Sequence, residues 1–416
     1  CLTDMAVNAG LKAPLMTATA WGGACTGGLL PVMGGYCDAP WAREIEKLPP
    51  NVNYVFTPER NDANIGSDFG KKETAGKKEE FPYLMAELGG GLQPTKHRRP
   101  VASAADIGAM SLVKLGCGAN LLGYYMYHGG SNPEGRNTTL QETKKTGSWN
   151  ELPAYNYDFQ APVGEYGQVR ESCREIKLLS MFLHDFGSGL CTMKPEFPSP
   201  VMDDAGNLET LRTCVRHNGE RGYLFVNNYQ RLYPMKEHRN AVLHAKIGTN
   251  ELYYPARDIR NGDYFFYPFN MPIGESAEIV TALATPLCIL HRRNEKIYVF
   301  YSDTEPMYRI KGDLGRNKIV TLSRREALDA WKVEINGEEY LLITGGEIRE
   351  QKGQIILRGI VDEENRKTEF ASCPALPESP AGFKKIREEK LAYYERKEKK
   401  ERTKVFWKQG RLEKGF

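Results

Sequence analysis

Several familiar frameworks are missing from this sequence. Its 9 cysteines include no CxxC pair, and its 7 histidines form no HExxH or other ligand-spaced pair, so neither a disulfide frame nor a metal site has support. The cysteines stand singly at 1, 25, 37, 117, 173, 191, 214, 288 and 373. They read as reduced, mostly buried thiols, which tilts the compartment toward the cytoplasm. No GxGxxG follows a strand, which weakens a dinucleotide-binding reading. No apolar run is long enough to cross a bilayer. "GKKETAGKK" (70–78) resembles a phosphate loop, but its glycines are one residue too far apart. It also ends in Lys where Ser or Thr should hold a metal, and no strand leads into it. Net charge is scarce too, at +3, and Phe383 to Phe416 alone holds 13 Lys or Arg against 6 Asp or Glu. Residues 1–382 are therefore net acidic, which argues against a nucleic-acid platform in the body of the protein.

What is present suffices for one large core or two medium ones: 416 residues, 41% of them apolar and 10% aromatic. The chain opens on Cys1 inside a helical pattern, with Leu2, Met5, Ala6 and Ala9 at helical spacing and Gly10 placed to stop it. That reading expects a further segment before residue 1 and leaves a signal peptide undecided. Up to about residue 190, apolar strands alternate with longer connections. "APLMTATA" (13–20), "VNYVFT" (52–57), "FPYLMAEL" (81–88) and "NLLGYYMYH" (120–128) are the expected strands, with helices before and after the last. This order predicts a parallel α/β fold, either a barrel or an open sheet. From about 193 the pattern becomes short β-runs between turn signals, as in an all-β domain. "KVEINGEEYLLI" is a hairpin with Asn336-Gly337 at its turn. Beyond the Pro-rich "CPALPESPAG", the segment "KKIREEKLAYYERKEKKERTK" predicts a solvated charged helix. The expected domains are 1–192, 193–375 and a tail, 376–416.

"EFPYLMAELGGG" (80–91) carries the sharpest question. Glu87 is a carboxylate at the C-terminal end of an otherwise apolar strand, where desolvation is costly and where parallel barrels build their active sites. It is either such a site residue or a strand cap paired with Arg98 or Arg99, and the sequence balances the two. The three glycines permit close backbone approach or unusual dihedrals. In "YYMYHGGSN" (124–132), alternation puts Tyr125 and Tyr127 on one face and Tyr124, Met126 and His128 on the other. The tyrosines suit a sugar pocket, but tyrosines filling a core explain the composition as well; a lone His128 is more often structural. A glycosylation sequon stands at Asn137.

Taken together, "APLMTATAWGGA", "PYLMAELGGG", "NLLGYYMYHGGSN" and "NYDFQAPVGEYG" resemble consecutive signatures of glycoside hydrolase family 35, the β-galactosidases. "GYLFVNNYQRLYPM" with "YPFNMPIG" resembles the β-domain that follows that family's barrel, so the resemblance covers most of residues 1–300. It implies an α/β chain whose first part is half of a (β/α)₈ TIM barrel, strands five to eight, followed by an antiparallel, sandwich-like β-domain. By resemblance Glu87 matches the nucleophile, and Tyr125 matches a tyrosine that helps hold galactose. The acid/base Glu would lie after strand four, upstream of residue 1, since no Asn-Glu pair followed by Tyr precedes Glu87. The chain by itself would then be inactive and poorly soluble. Gly91-Leu92 stands where the family often has Gly-Trp, and Pro133 where an aromatic is usual, which puts leaving-group specificity in question. The implied activity is retaining release of β-galactose from galactosides or galactose-terminated oligosaccharides, with no cofactor. A sugar-binding relative without catalysis, or the same mechanism on a β-glucosaminide, are the alternatives. Neither nucleic acid nor membrane is expected as a partner, and a homo-oligomer is left open.

Overall fold

The computed structural model describes residues 2–18, 29–43, 46–60, 81–96, 98–133, 136, 155–358, 367–397, 404–408 and 411–415. Asn137 and residues 70–78 lie outside them. The protein is mixed α/β, rich in strands, with several sheets. It forms two compact units, one of residues 1–289 with 298–321 and one of 290–297 with 322–416. The change of pattern near residue 193 falls inside the first unit.

The first unit begins with helix α1 (Leu2–Asn8) and four strands, β1 (Met16–Ala18), β2 (Leu30–Gly35), β3 (Tyr83–Leu88) and β4 (Ala119–Tyr124). They form one sheet in chain order, every neighbouring pair parallel. All four strands therefore present their C-terminal ends at the same rim. Among the described residues β1 is an edge of this sheet, and α1 leaves Leu2, Met5 and Val7 exposed.

One expected strand is corrected. "VNYVFT" forms a 3₁₀ turn at Val52–Tyr54, whose N-cap Asn51 accepts from the Asn53 amide at 2.8 Å. Asn53, Tyr54, Val55 and Phe56 are nonetheless buried, and an apolar run alone does not separate a buried strand from a buried turn. The strand missing from the sequence reading is β2, whose "LPVMGG" carries a proline and two glycines that depress the strand signal.

Helix α2 (Ala104–Gly116) precedes β4 and α3 (Glu171–Leu190) follows it. Ser103 opens α2 with a capping box: its hydroxyl accepts from the Asp106 amide at 3.1 Å and Asp106 Oδ2 accepts from the Ser103 amide at 2.8 Å. The helix is buried from Asp106 to Gly116, which fits its apolar and small residues. One core joins Met85 and Leu88 of β3, Ile107, Met110 and Val113 of α2, and Ile176, Leu179 and Phe182 of α3. Phe225 and Phe266 of a second sheet complete it, their rings stacked at 5.2 Å.

That second sheet is antiparallel and six-stranded. Its order is Tyr308–Gly312, Ala277–Ala282, Tyr264–Ile273, Gly222–Asn227, Arg212–His217 and Lys194–Glu196. Arg216 fastens it to the helices. Its guanidinium, 1% exposed, donates to the carbonyls of Leu115 (2.9 Å), Ala119 (2.9 Å), Leu190 (2.9 Å) and Met193 (3.2 Å). Leu115 and Leu190 end α2 and α3, where carbonyls lack helical partners and the helix dipole is negative, so a cation is favoured there. Burial lowers the Arg216 pKa to about 10, which keeps it charged at neutral pH.

In the second unit, five strands pair antiparallel in the order Ala330–Ile335, Glu338–Ile343, Lys367–Cys373, Ala392–Lys397, Lys384–Glu388. The first two form the expected hairpin, with Asn336 and Gly337 both at positive φ. The charged tail corrects the sequence reading, because 384–388 and 392–397 are strands and not a helix. Ala392 and Tyr394 alternate into the core, and Tyr394 stacks on Phe370 at 4.8 Å. That period of two outweighs the charge density from which helix was expected. The seven described cysteines are free thiols, six of them buried as expected. Among the described residues no helix is long and apolar enough to cross a membrane.

Candidate active site

Three side chains arrive at the rim from three adjacent strands. Glu87 is the fifth residue of β3, Tyr36 is the first beyond β2 and Tyr125 the first beyond β4. The register places Gly34 beside Glu87, and Leu88 beside both Gly35 and Tyr124. Two backbone bonds continue the ladder past the strand ends, Gly89 N–H to Gly35 O (2.8 Å) and Tyr125 N–H to Leu88 O (2.9 Å). Tyr36, Glu87 and Tyr125 are thus held level by main-chain bonds.

The Tyr36 hydroxyl donates to Glu87 Oε1 at 2.7 Å. Glu87 has no ion-pair partner among the described residues. Arg98, one of the two cations weighed for it, instead binds Asp38 at 3.0 Å and the Glu46 carbonyl at 2.8 Å. Burial raises the Glu87 pKa, and the Tyr36 hydrogen bond pulls in the opposite direction. The Tyr36 phenol is itself pushed up, first by burial and then by Glu87, so it stays a proton donor.

Tyr125 shares a hydroxyl–hydroxyl hydrogen bond with Tyr157. Burial, then that bond, raises the Tyr125 pKa, and the charge of Glu87 adds to it. Tyr157 lies on β6 (Asn156–Tyr157), paired with β5 (Gly130–Ser131). Phe159 backs both rings, 4.4 Å from Tyr157 and edge-on to Tyr125 at 5.8 Å. Tyr36 in turn meets Trp41 edge-on at 5.5 Å.

The glycine run makes this assembly fit, though not by opening space. A Cβ on Gly89 would stand 2.5 Å from the Tyr36 ring, one on Gly90 2.4 Å from Met126 O, and one on Gly91 2.1 Å from Phe159 O. The glycines let protein, not ligand, approach. Phe159 and Gln160 take positive φ, 53° and 55°, where the chain lies on Gly91. Gln160 fixes that crossing, donating to Leu92 O (3.0 Å) and Pro100 O (2.8 Å) and accepting from the Ala102 amide (3.1 Å).

The expected pairing of Tyr125 with Tyr127 on one face is corrected. Strand β4 ends at Tyr124, so alternation stops there. Tyr124 and Tyr127 lie together at 6.4 Å, and the Tyr124 hydroxyl donates to Ser111 of α2 at 3.0 Å. His128 is exposed, with a ring nitrogen against the Gly129 carbonyl. Leu92 is fully buried in the core, so it is not a surface on which a ligand stacks. Tyr36 and Tyr157 were missed in the sequence. "VMGGY" does carry the same cue as "AELGGG", an apolar strand breaking into glycines beside a polar side chain.

No known protein family's profile matches the chain. No curated protein matches it either.

Proposed function

We propose that Glu87 is the nucleophile of a retaining β-galactosidase similar to glycoside hydrolase family 35, with β1–β4 as strands five to eight of its (β/α)₈ barrel. The observation that carries this is the Tyr36–Glu87 hydrogen bond: a half-buried carboxylate at the rim, held by a neutral donor and, among the described residues, by no cation. The phenol donates to the charged form of Glu87 and so favours the ionised carboxylate that attack requires, against the burial that disfavours it. The sequential parallel order of β1–β4 supports the barrel. Further strands of such a barrel would pair with the β1 edge and cover the apolar residues of α1.

In this mechanism ionised Glu87 attacks the anomeric carbon and forms a glycosyl ester as the bond to the leaving oxygen breaks. A second carboxyl, about 5 Å away, gives that oxygen its proton and then takes one from the water that cleaves the ester. Among the described residues no second carboxyl acts on Glu87, and the resemblance assigns this role to a Glu upstream of residue 1. Tyr125 and Tyr157 supply a sugar contact. In a hydroxyl pair one proton is spent on the other oxygen, which leaves one donor free for a ligand hydroxyl.

With no second carboxyl acting on Glu87 among the described residues, a second reading is a sugar-binding relative without turnover. Hydrolysis of nitrophenyl β-galactoside by the parent protein, meaning this chain together with the upstream segment that the resemblance implies, separates the two, because a binding protein retains the glycoside uncut. A panel of aryl glycosides tests the β-glucosaminide alternative.

A further inference from the structure

A buried ion network begins two residues beyond Tyr36. Asp38, two residues beyond Tyr36, accepts from Arg98 at 3.0 Å and from Arg231 Nε at 3.1 Å. Arg231 also donates to Asp106 Oδ2 and to the Val101 carbonyl (3.1 Å), and the Tyr229 hydroxyl donates to Asp106 Oδ1 at 2.6 Å. The four charged side chains are 4% (Asp38), 11% (Arg98), 8% (Arg231) and 2% (Asp106) exposed. Two cations and two anions balance, so no outside counter-ion is needed.

The network joins the segments that carry the site. Asp38 lies on the chain leaving β2, as Tyr36 does, Arg98 lies downstream of Glu87 and β3, and Asp106 sits in the first turn of α2. The Tyr36 carbonyl is held as well, by Asn51 Nδ2 (2.8 Å) and Asn53 Nδ2 (2.9 Å). Arg231 and Tyr229 alone come from elsewhere, from the loop after strand Gly222–Asn227 of the six-stranded sheet. We infer that Arg231 is a positioning residue: delivered by the antiparallel sheet, it fixes the end of β2 and so the Tyr36 hydroxyl on Glu87. The inference rests on Glu87 being the reacting carboxylate and on nothing about the sugar.

Removing the guanidinium leaves Asp106 buried without a cation and Asp38 with Arg98 alone, so the rim must shift to relieve them. A displacement of about 1 Å at a reacting group costs on the order of 10²-fold in rate. Glu87 reports such a shift directly. Among the described residues the titratable groups facing it are Tyr36 and Tyr125, and those facing the network are Cys37, Tyr54 and Tyr229.

The test compares Arg231→Met and Arg231→Lys in the parent protein. The Glu87 carboxyl is titrated by carbon NMR, its signal assigned by loss in Glu87→Gln, and kcat and KM are measured on nitrophenyl β-galactoside. We expect the Met variant to titrate Glu87 at higher pH and to lose about 10- to 10²-fold in kcat with KM little changed, and Lys to restore part of both. A folded Met variant with the wild-type Glu87 titration overturns the inference. Should the Met variant not fold, Asp38→Asn, which keeps the shape and loses the charge, is read the same way. If the wild-type parent cleaves no glycoside, the reading of Glu87 as a nucleophile fails, while its titration still decides the role of Arg231.

Discussion

The Tyr36 hydroxyl and Glu87 Oε1, carried by neighbouring parallel strands, lie 2.7 Å apart, with no ion-pair partner for Glu87 among the described residues. Burial of Glu87 disfavours its charged form and Tyr36 favours it, so the pair sets the pH at which the carboxylate becomes available. Tyr36→Phe removes the favourable part. The acid limb of kcat/KM should move to higher pH, and the plateau should fall by roughly 10- to 10²-fold, the worth of a hydrogen bond to a charged group. An unmoved acid limb contradicts this.

Glu87→Gln should abolish turnover and also stabilise the fold. The folded pKa of Glu87 is raised, so its contribution to stability is fully present below the unfolded pKa and is lost as pH rises through the folded one. Glutamine does not ionise, so the melting temperature of the variant should pull ahead of wild type as pH rises across that window and then hold a constant lead. Equal melting curves at all pH values would show that burial does not penalise the charge.

The glycines after Glu87 differ sharply from Gly130, the second glycine after His128. Gly91→Ala brings a Cβ to 2.1 Å from a backbone oxygen that has nowhere to go, while nothing lies within 4 Å of a Cβ on Gly130. Gly91→Ala should destabilise by on the order of 1–3 kcal/mol in urea unfolding, and Gly130→Ala should be close to neutral. Comparable losses for the two would falsify the packing account of the run.

Arg216→Met should take the side-chain donor from four buried carbonyls; Leu115 O and Leu190 O keep backbone donors from Gly118 (3.1 Å) and Met193 (3.0 Å), while Ala119 O and Met193 O lose theirs, each orphaned group costing about 1–3 kcal/mol before relaxation. A loss of at least about 2 kcal/mol in urea unfolding is expected, with Arg216→Lys between the two. A loss below about 1 kcal/mol would mean that the helix ends find other partners.

Much of this arrangement is legible in the sequence, for identifiable reasons. Strand β3 and its terminal acid stand out because a charge on a doubly buried strand is conspicuous. The Asn336-Gly337 hairpin is legible because its turn needs positive φ. Strand β2 is hidden by Pro31 and its glycines, and with it Tyr36, the residue that contacts Glu87 most closely. The face of Tyr127 is misread because alternation holds only while the strand lasts, and β4 stops at Tyr124. The tail at 392–397 is misread because charge density conceals a period of two. The Arg231 network has no local signal, since its members are distant in sequence and meet only through packing.

Covalent trapping of the parent protein tests the assignment of Glu87 most directly. A galactoside bearing fluorine in place of the hydroxyl next to the anomeric carbon, with dinitrophenolate as leaving group, forms the glycosyl ester without acid assistance and hydrolyses it slowly. Peptide mass spectrometry should find one sugar on the peptide spanning Tyr83 to Leu92, at Glu87, and none in Glu87→Gln. A sugar on a different carboxylate, or unlabelled protein that still turns over galactosides, would contradict Glu87 as the nucleophile.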